Sequence, residues 1–391
     1  MRSVVIRCLA VMSIISAGLL ARAVACPFCS APSLTLGEQL AAAESAALVQ
    51  WAGGKEANRD EGFTGTTDYE VLQVVRDGSG KLKKGEKITV DRYRAGKPGE
   101  LFLLLGTEVE GTTEWSSPLE VTEGSFQYII QAPSKEARTR DRLAYFMKFL
   151  EYPEEMVASD AYGEFANSPY DEIVPLADQM PREKLREWLN SKETPATRLG
   201  LYGLMLGLCG KPEDADFLKE IIVQEPEDFR LGIDGIMGGY LVLTGKEGLD
   251  VLSEKKLANP DAHFSETFAA MQALRFMWTY GNGRISPEDL RQAMRLLLAR
   301  PNLADLVIVD LARWNDWEIM PHLMELYDQK EYQVPSVKRA IVRFMLIAEK
   351  DAPKEEGAQL AQHVIDARKN LEILREKDPK TVKAAERYFF D

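Results

Sequence analysis

The apolar pattern of this chain changes period once, and that change dictates two regions of different architecture. From Ser45 to about Ala132 apolar and polar residues alternate. Ala47 to Trp51, Tyr69 to Val75 and Lys87 to Tyr93 read as strands, with Asp77-Gly78-Ser79-Gly80 as a turn. Leu101 to Leu105 is a continuous apolar run between Gly99 and Gly106, as expected of a strand buried on both faces. Glu114 to Val121 and Phe126 to Ile130 complete a set of about six short strands. Closing them into a small antiparallel barrel would remove exposed edges.

From about Arg138 the period is helical. Turn residues recur at Gly210-Lys211, Gly245-Lys246, Gly281 to Gly283, Asn315-Asp316 and Lys350-Asp351, about 35 residues apart, which is the spacing of stacked helical hairpins. Gly200, Gly203 and Gly207, then Gly232, Gly235 and Gly239, fall on one face of the first helix in two successive hairpins. Glycine inside a helix costs about 1 kcal/mol, so close helix packing is the expected compensation. With 391 residues, 45% hydrophobic and 9% aromatic, the chain has material for two or three folded domains. The expected organisation is multidomain β plus α: an antiparallel barrel over 26–132, a polar linker over 133–142, and an all-α solenoid of about five to six hairpins over 143–391, with Leu143 to Leu189 as its cap.

The first region resembles the netrin-like, OB-type barrel of tissue inhibitors of metalloproteinases. The likeness rests on a Cys pair near the N-terminus, an Ala-rich helix leading into a strand (Leu40 to Gln50), the turn Lys84-Gly85-Glu86-Lys87-Ile88, and Gly99-Glu100-Leu101-Phe102-Leu103-Leu104. In those inhibitors the N-terminal cysteine's amine and carbonyl chelate the target's zinc, a role that would map to Cys26. They carry Cys-x-Cys bridged to distant cysteines, whereas this region has Cys26-Pro27-Phe28-Cys29 and no other cysteine, so the resemblance implies the fold and not the inhibition. The second region resembles HEAT-type solenoids of exported bacterial proteins. No activity follows from that likeness.

Arg2 and Arg7, the run Cys8 to Ala21, and Ala23-Val24-Ala25 have the charged, apolar and A-x-A parts of a secretory signal peptide over 1–25. The run is shorter than the about 20 residues of a spanning helix. No later stretch rivals it, so no transmembrane span is expected. Cleavage would start the chain at Cys26 and, by removing Arg2, Arg7 and Arg22, take the net charge from −13 to −16. Acylation of Cys26 would instead anchor the protein to lipid.

Cys26 and Cys29 are the disulfide or redox candidates: a Cys-x-x-Cys pair can be a dithiol, a small-ring disulfide or half a zinc site, and an exported chain favours the disulfide. Ser30, where c-type haem attachment needs His, excludes that reading. Cys209 lies in an apolar helix and reads as core; His263, His322 and His363 are scattered, so no metal or cofactor set is assigned. Asp160 and Glu164, one helical turn apart, form an acidic pair. Such a pair does acid/base work or holds a cation only if burial splits its pKa values, and is otherwise a solvated face. Trp278, Trp314 and Trp317 near turns are either groove or core. No P-loop, dinucleotide fingerprint, G-x-S-x-G or H-E-x-x-H motif occurs, and no catalytic residue is assigned. With 61 acidic against 48 basic residues, nucleic acid is an unfavourable partner and a basic protein or peptide a favourable one. The expectation is an exported, non-enzymatic binding or scaffolding protein of the cell envelope, periplasm or extracellular space. A thiol-redox or metal-handling protein using Cys26 and Cys29, and a protease inhibitor presenting Cys26, are the alternatives.

Overall fold

A computed structural model describes residues 25–29, 34–58, 60, 62–224, 228–353 and 358–387. Nearly all of the expected signal peptide therefore lies outside the described residues. Contacts group into two compact units, one running to Ile173 and the other beginning at Val174, with Pro27, Phe28 and Cys29 belonging to the second.

The first unit is built on an antiparallel sheet of β1 (Ser45–Lys55), β2 (Thr66–Arg76), β3 (Lys87–Val90), β4 (Leu101–Val109), β5 (Thr112–Trp115) and β6 (Leu119–Val121). Its order is β3-β2-β1-β4-β5, and β6 also pairs with β4. One face carries Ala47, Val49, Tyr69, Val71, Ile88, Phe102 and Leu104, all buried. Register makes them neighbours: Val49 lies opposite Val71 and Phe102, and Tyr69 opposite Ile88. Over Ser45 to Val49 and Phe102 to Leu104 every residue is buried, so both faces are covered there, as the apolar run at Leu101 implies.

Three expectations need correction. Phe126 to Ile130 is not a strand but part of a helix, α2 (Glu123–Gln131). Thr122 caps it: its hydroxyl accepts from Ser125 N–H at 3.1 Å while Ser125 Oγ accepts from Thr122 N–H at 2.8 Å. Glu114 to Val121 is two strands, separated by residues 116–118, where Pro118 has no N–H to give a ladder. The sheet is also not closed: the four-residue strands β3 and β5 end its path, and the last expected strand is helical.

The helices of this stretch of the chain are α1 (Leu36–Ala42), α2, α3 (Thr139–Phe146), α4 (Glu155–Ala166) and α5 (Tyr170–Ile173), with α2 packed against β6 and α4, and α3 against α4. The helices from 139 to 173 fall in this unit.

In the second unit the helices are α6 (Arg182–Asn190), α7 (Ala196–Cys209), α8 (Pro212–Val223), α9 (Ile233–Thr244), α10 (Lys246–Leu252), α11 (Phe264–Tyr280), α12 (Pro287–Leu296), α13 (Ala304–Arg313), α14 (Met320–Asp328), α15 (Pro335–Lys350), α16 (Gln362–Lys377) and α17 (Pro379–Glu386). The first helices of successive pairs pack together: α7 on α9, α9 on α11, and further along α13 on α15. The glycine face is the α7–α9 contact. A Cβ on Gly207 would lie 2.2 Å from the Gly239 carbonyl oxygen, and one on Gly235 would lie 2.3 Å from that of Gly200. Gly232 differs from the others, standing at the N-cap of α9 with φ +82°.

Candidate functional site

Asp160 and Glu164 are brought together on α4, and neither faces solvent. Asp160 Oδ1 accepts the N–H of Leu36, which opens α1, at 2.5 Å, and Oδ2 accepts the hydroxyl of Tyr128 on α2 at 2.6 Å. Burial pushes the Asp160 carboxyl up to about 6, against the opposing effect of these two donors. Burial and the nearby Asp160 charge raise the Tyr128 hydroxyl well above its ordinary value. Glu164 is ion-paired with Arg142 on α3. A cavity of about 250 Å³ lies against this pair, lined by Gly37, Arg76, Ile129, Arg142, Phe146 and Glu164 among others. Arg76 borders it while donating to the carbonyls of Leu40, Ala41 and Ala43 at the end of α1. A second hollow of about 220 Å³ reaches Asp160 from the other side of α1, past Leu34, Gln39 and Met156. The solvated-face reading of the pair is thus replaced by a buried polar knot tying α1, α2 and α3 to α4. Its partners lie 22 to 124 residues away in sequence, and no local signal marks them.

Cys26 and Cys29 are disulfide-bonded. Cys26 is buried, and its N–H donates to the Ala166 carbonyl at 3.2 Å. Cys209, at the end of α7, is a free, half-buried thiol that burial pushes up to about 11, so it stays protonated at neutral pH. His263 and His322 are exposed; His322 lies 3.3 Å from Glu325. His363 lies 3.1 Å from Asp351. Among the described residues no three His, Cys, Asp or Glu side chains converge as a metal site, and no helix is long and apolar enough to cross a membrane.

Of the tryptophans, Trp278 and Trp314 meet face to face, centroids 4.3 Å apart and planes within 7°. Arg291 lies 5.6 Å above Trp278 and donates to the Trp314 carbonyl at 2.7 Å. Trp314 is buried, and Trp317 sits elsewhere, edge-on to Phe344 and stacked on His363. These rings pack hairpins together.

Two features of the second unit escaped sequence reading. Buried carboxylates are matched by cations from neighbouring segments: Asp214 by Arg182 and Arg186, Glu266 by Arg230 and Lys256, Asp310 by Arg275, and Asp316 by Arg295. The first three links span 32, 36 and 35 residues, which is the hairpin period that the turns show. The other feature is a set of exposed apolar residues on two segments that an ion pair joins. Phe229 is 71% exposed, and it flanks Arg230 together with exposed Leu231. The bond from Arg230 to Glu266 brings this loop beside the start of α11, where Phe264 is also exposed and stacks on Phe268.

Comparison with models of protein families, with curated proteins and with solved structures finds no match for this chain.

Proposed function

We propose that the protein is an exported binding protein of the cell envelope, acting without catalysis and engaging a protein or peptide through its helical repeats. In this reading the second unit is a HEAT-like array. The first unit is a netrin-like module, a partly open barrel in which the path β3-β2-β1-β4-β5 ends at β3 and β5, which do not pair with each other. The observation that carries the binding reading is the exposure of Phe229, Leu231 and Phe264 on two segments joined by the Arg230–Glu266 ion pair. Large apolar side chains held exposed on such a surface are costly to leave in water unless a partner covers them. The excess of acidic residues, 61 against 48 basic in the full chain, favours a basic partner whose association weakens as salt rises.

Burial of Cys26 and engagement of its N–H by Ala166 weigh against presenting it to a protease's metal. A bridge between Cys26 and Cys29 suits a structural loop in an oxidising compartment.

The test uses the full chain as bait in envelope extract, beside a Phe229→Asp, Phe264→Asp variant. A discrete partner should be captured by the parent, released by salt, and lost by the variant with helical circular dichroism unchanged. Capture that survives this variant and disappears with Phe63→Asp in the first unit would move the binding surface to the sheet and overturn the assignment.

A further inference from the structure

Gly238 is the one glycine of α9 that no neighbouring helix explains. Gly235 and Gly239 face the backbone of α7, whereas a Cβ on Gly238 would lie 2.5 and 2.6 Å from Cζ and Cε2 of Phe28, with its next neighbour, Phe276 Cδ1, at 3.5 Å. On α7, a Cβ on Gly200 would lie 2.7 Å from the Phe28 carbonyl oxygen. The Phe28 ring packs against Phe276 of α11 with centroids 4.8 Å apart, and the residue is 8% exposed. Three successive first helices, α7, α9 and α11, thus build a socket floored by two glycines and walled by one aromatic ring. What fills it is the middle of the Cys26-Pro27-Phe28-Cys29 loop, closed by its disulfide.

We propose that this socket is a recognition site for a phenylalanine side chain in a short turn, held here by the chain's own Phe28, and that reduction of the Cys26–Cys29 bridge vacates it. The inference does not depend on the exposed surface at Phe229. Proline at 27 and the disulfide together fix the turn before it docks, so little backbone freedom is lost on docking. Reduction by a dithiol breaks the Sγ–Sγ bond. Two electrons and two protons pass to Cys26 and Cys29, giving two thiols, while the reagent closes to its own disulfide. The freed loop must then give up its regained backbone freedom to hold Phe28 in place, and the socket opens to a competing aromatic turn.

The probe is the oxidised cyclic peptide acetyl-Cys-Pro-Phe-Cys-amide, added to three full-length hosts: the parent, Phe28→Ala, and Cys26→Ser with Cys29→Ser. Binding to Phe28→Ala should be at least about tenfold tighter than to the parent, as expected for burying one phenylalanyl ring. The double-serine host should fall between the two. Adding Gly238→Val to Phe28→Ala should abolish binding. If Phe28→Ala, folded by circular dichroism, takes the peptide no better than the parent, there is no recognition site; if the double-serine host is as closed as the parent, reduction does not open it. Hydrogen exchange on the unmutated chain supplies the check should a variant fail to fold. Amides around Gly238 and Phe276 should exchange faster after dithiothreitol treatment, and identical exchange overturns the proposal.

Discussion

Gly203 and Gly239 pass so close that a Cβ built on Gly239 would sit 2.0 Å from the Gly203 carbonyl oxygen. The obstacle is backbone and cannot swing aside, so α7 and α9 would have to part. Gly239→Ala gains about 1 kcal/mol of helix propensity, yet overpacking of this kind costs about 1 to 3 kcal/mol or more. A net loss of up to about 2 kcal/mol in denaturant unfolding is expected. Gly124→Ala in α2, where a Cβ meets only atoms at 3.5 Å, is the control and should be neutral or slightly stabilising.

Asp160 makes the first unit less stable as pH rises. Its folded pKa of about 6 lies above the ordinary carboxylate value, so the folded state holds the proton more tightly than the unfolded one. That contribution is complete below about pH 4 and is lost as pH climbs through about 6, a swing of about 3 kcal/mol for a shift of about two units. Asp160→Asn, which still accepts from Leu36 N–H and can donate to Tyr128, should flatten the dependence. Urea unfolding followed between pH 4.5 and 7.5 reads the difference directly, and equal slopes in parent and variant would dismiss it.

Glu266 responds in the opposite sense. Arg230 and Lys256 hold its carboxyl below the ordinary value against the cost of burial, so its stabilisation is present above that value and fades in acid. Glu266→Gln leaves Lys256, only 5% exposed, without its counter-charge. A loss of about 3 to 5 kcal/mol is expected at pH 7. Chemical denaturation of the variant beside Lys256→Met with Glu266→Gln, which removes the stranded ammonium and should recover part of the loss, measures it.

Material recovered from the envelope should begin at Cys26. N-terminal sequencing and intact mass decide this: a retained Met1 would refute export, and an added diacylglyceryl mass would mean a lipid anchor.

What could be read from the residues was whatever has a local period. The alternation in Tyr69 to Val75 and the unbroken run at Leu101 translate into β2 and β4, because each strand's neighbours on its own chain already state which faces are buried. Phe126 to Ile130 misleads because five residues cannot separate a strand from one face of a helix. The decisive signal was Thr122 with Ser125, a capping box using serine where glutamate is usual. Whether β3 meets β5 is a matter of pairing between distant strands, which no local pattern encodes. The same limit hid the surroundings of Asp160 and Glu164. Their shared face was legible from a spacing of four, but Leu36, Tyr128 and Arg142 come from three other elements. The glycine face of α7 was legible because it recurs. The role of Gly238 was not, since its reason lies 210 residues earlier at Phe28.

The links from Arg182 to Asp214, Arg230 to Glu266 and Arg275 to Asp310 each join neighbouring hairpins at the period of the array. An array bonded this way verifies its own length. Excising one hairpin strands a cation on one side of the cut and a carboxylate on the other, and the carboxylate is buried too deeply for water to take the cation's place. Duplication and loss of repeats, the usual way such proteins grow and shrink, would here be tolerated only where the incoming neighbour supplies the complementary charge. The succession of hairpins is edited in matched pairs, like text under a parity check.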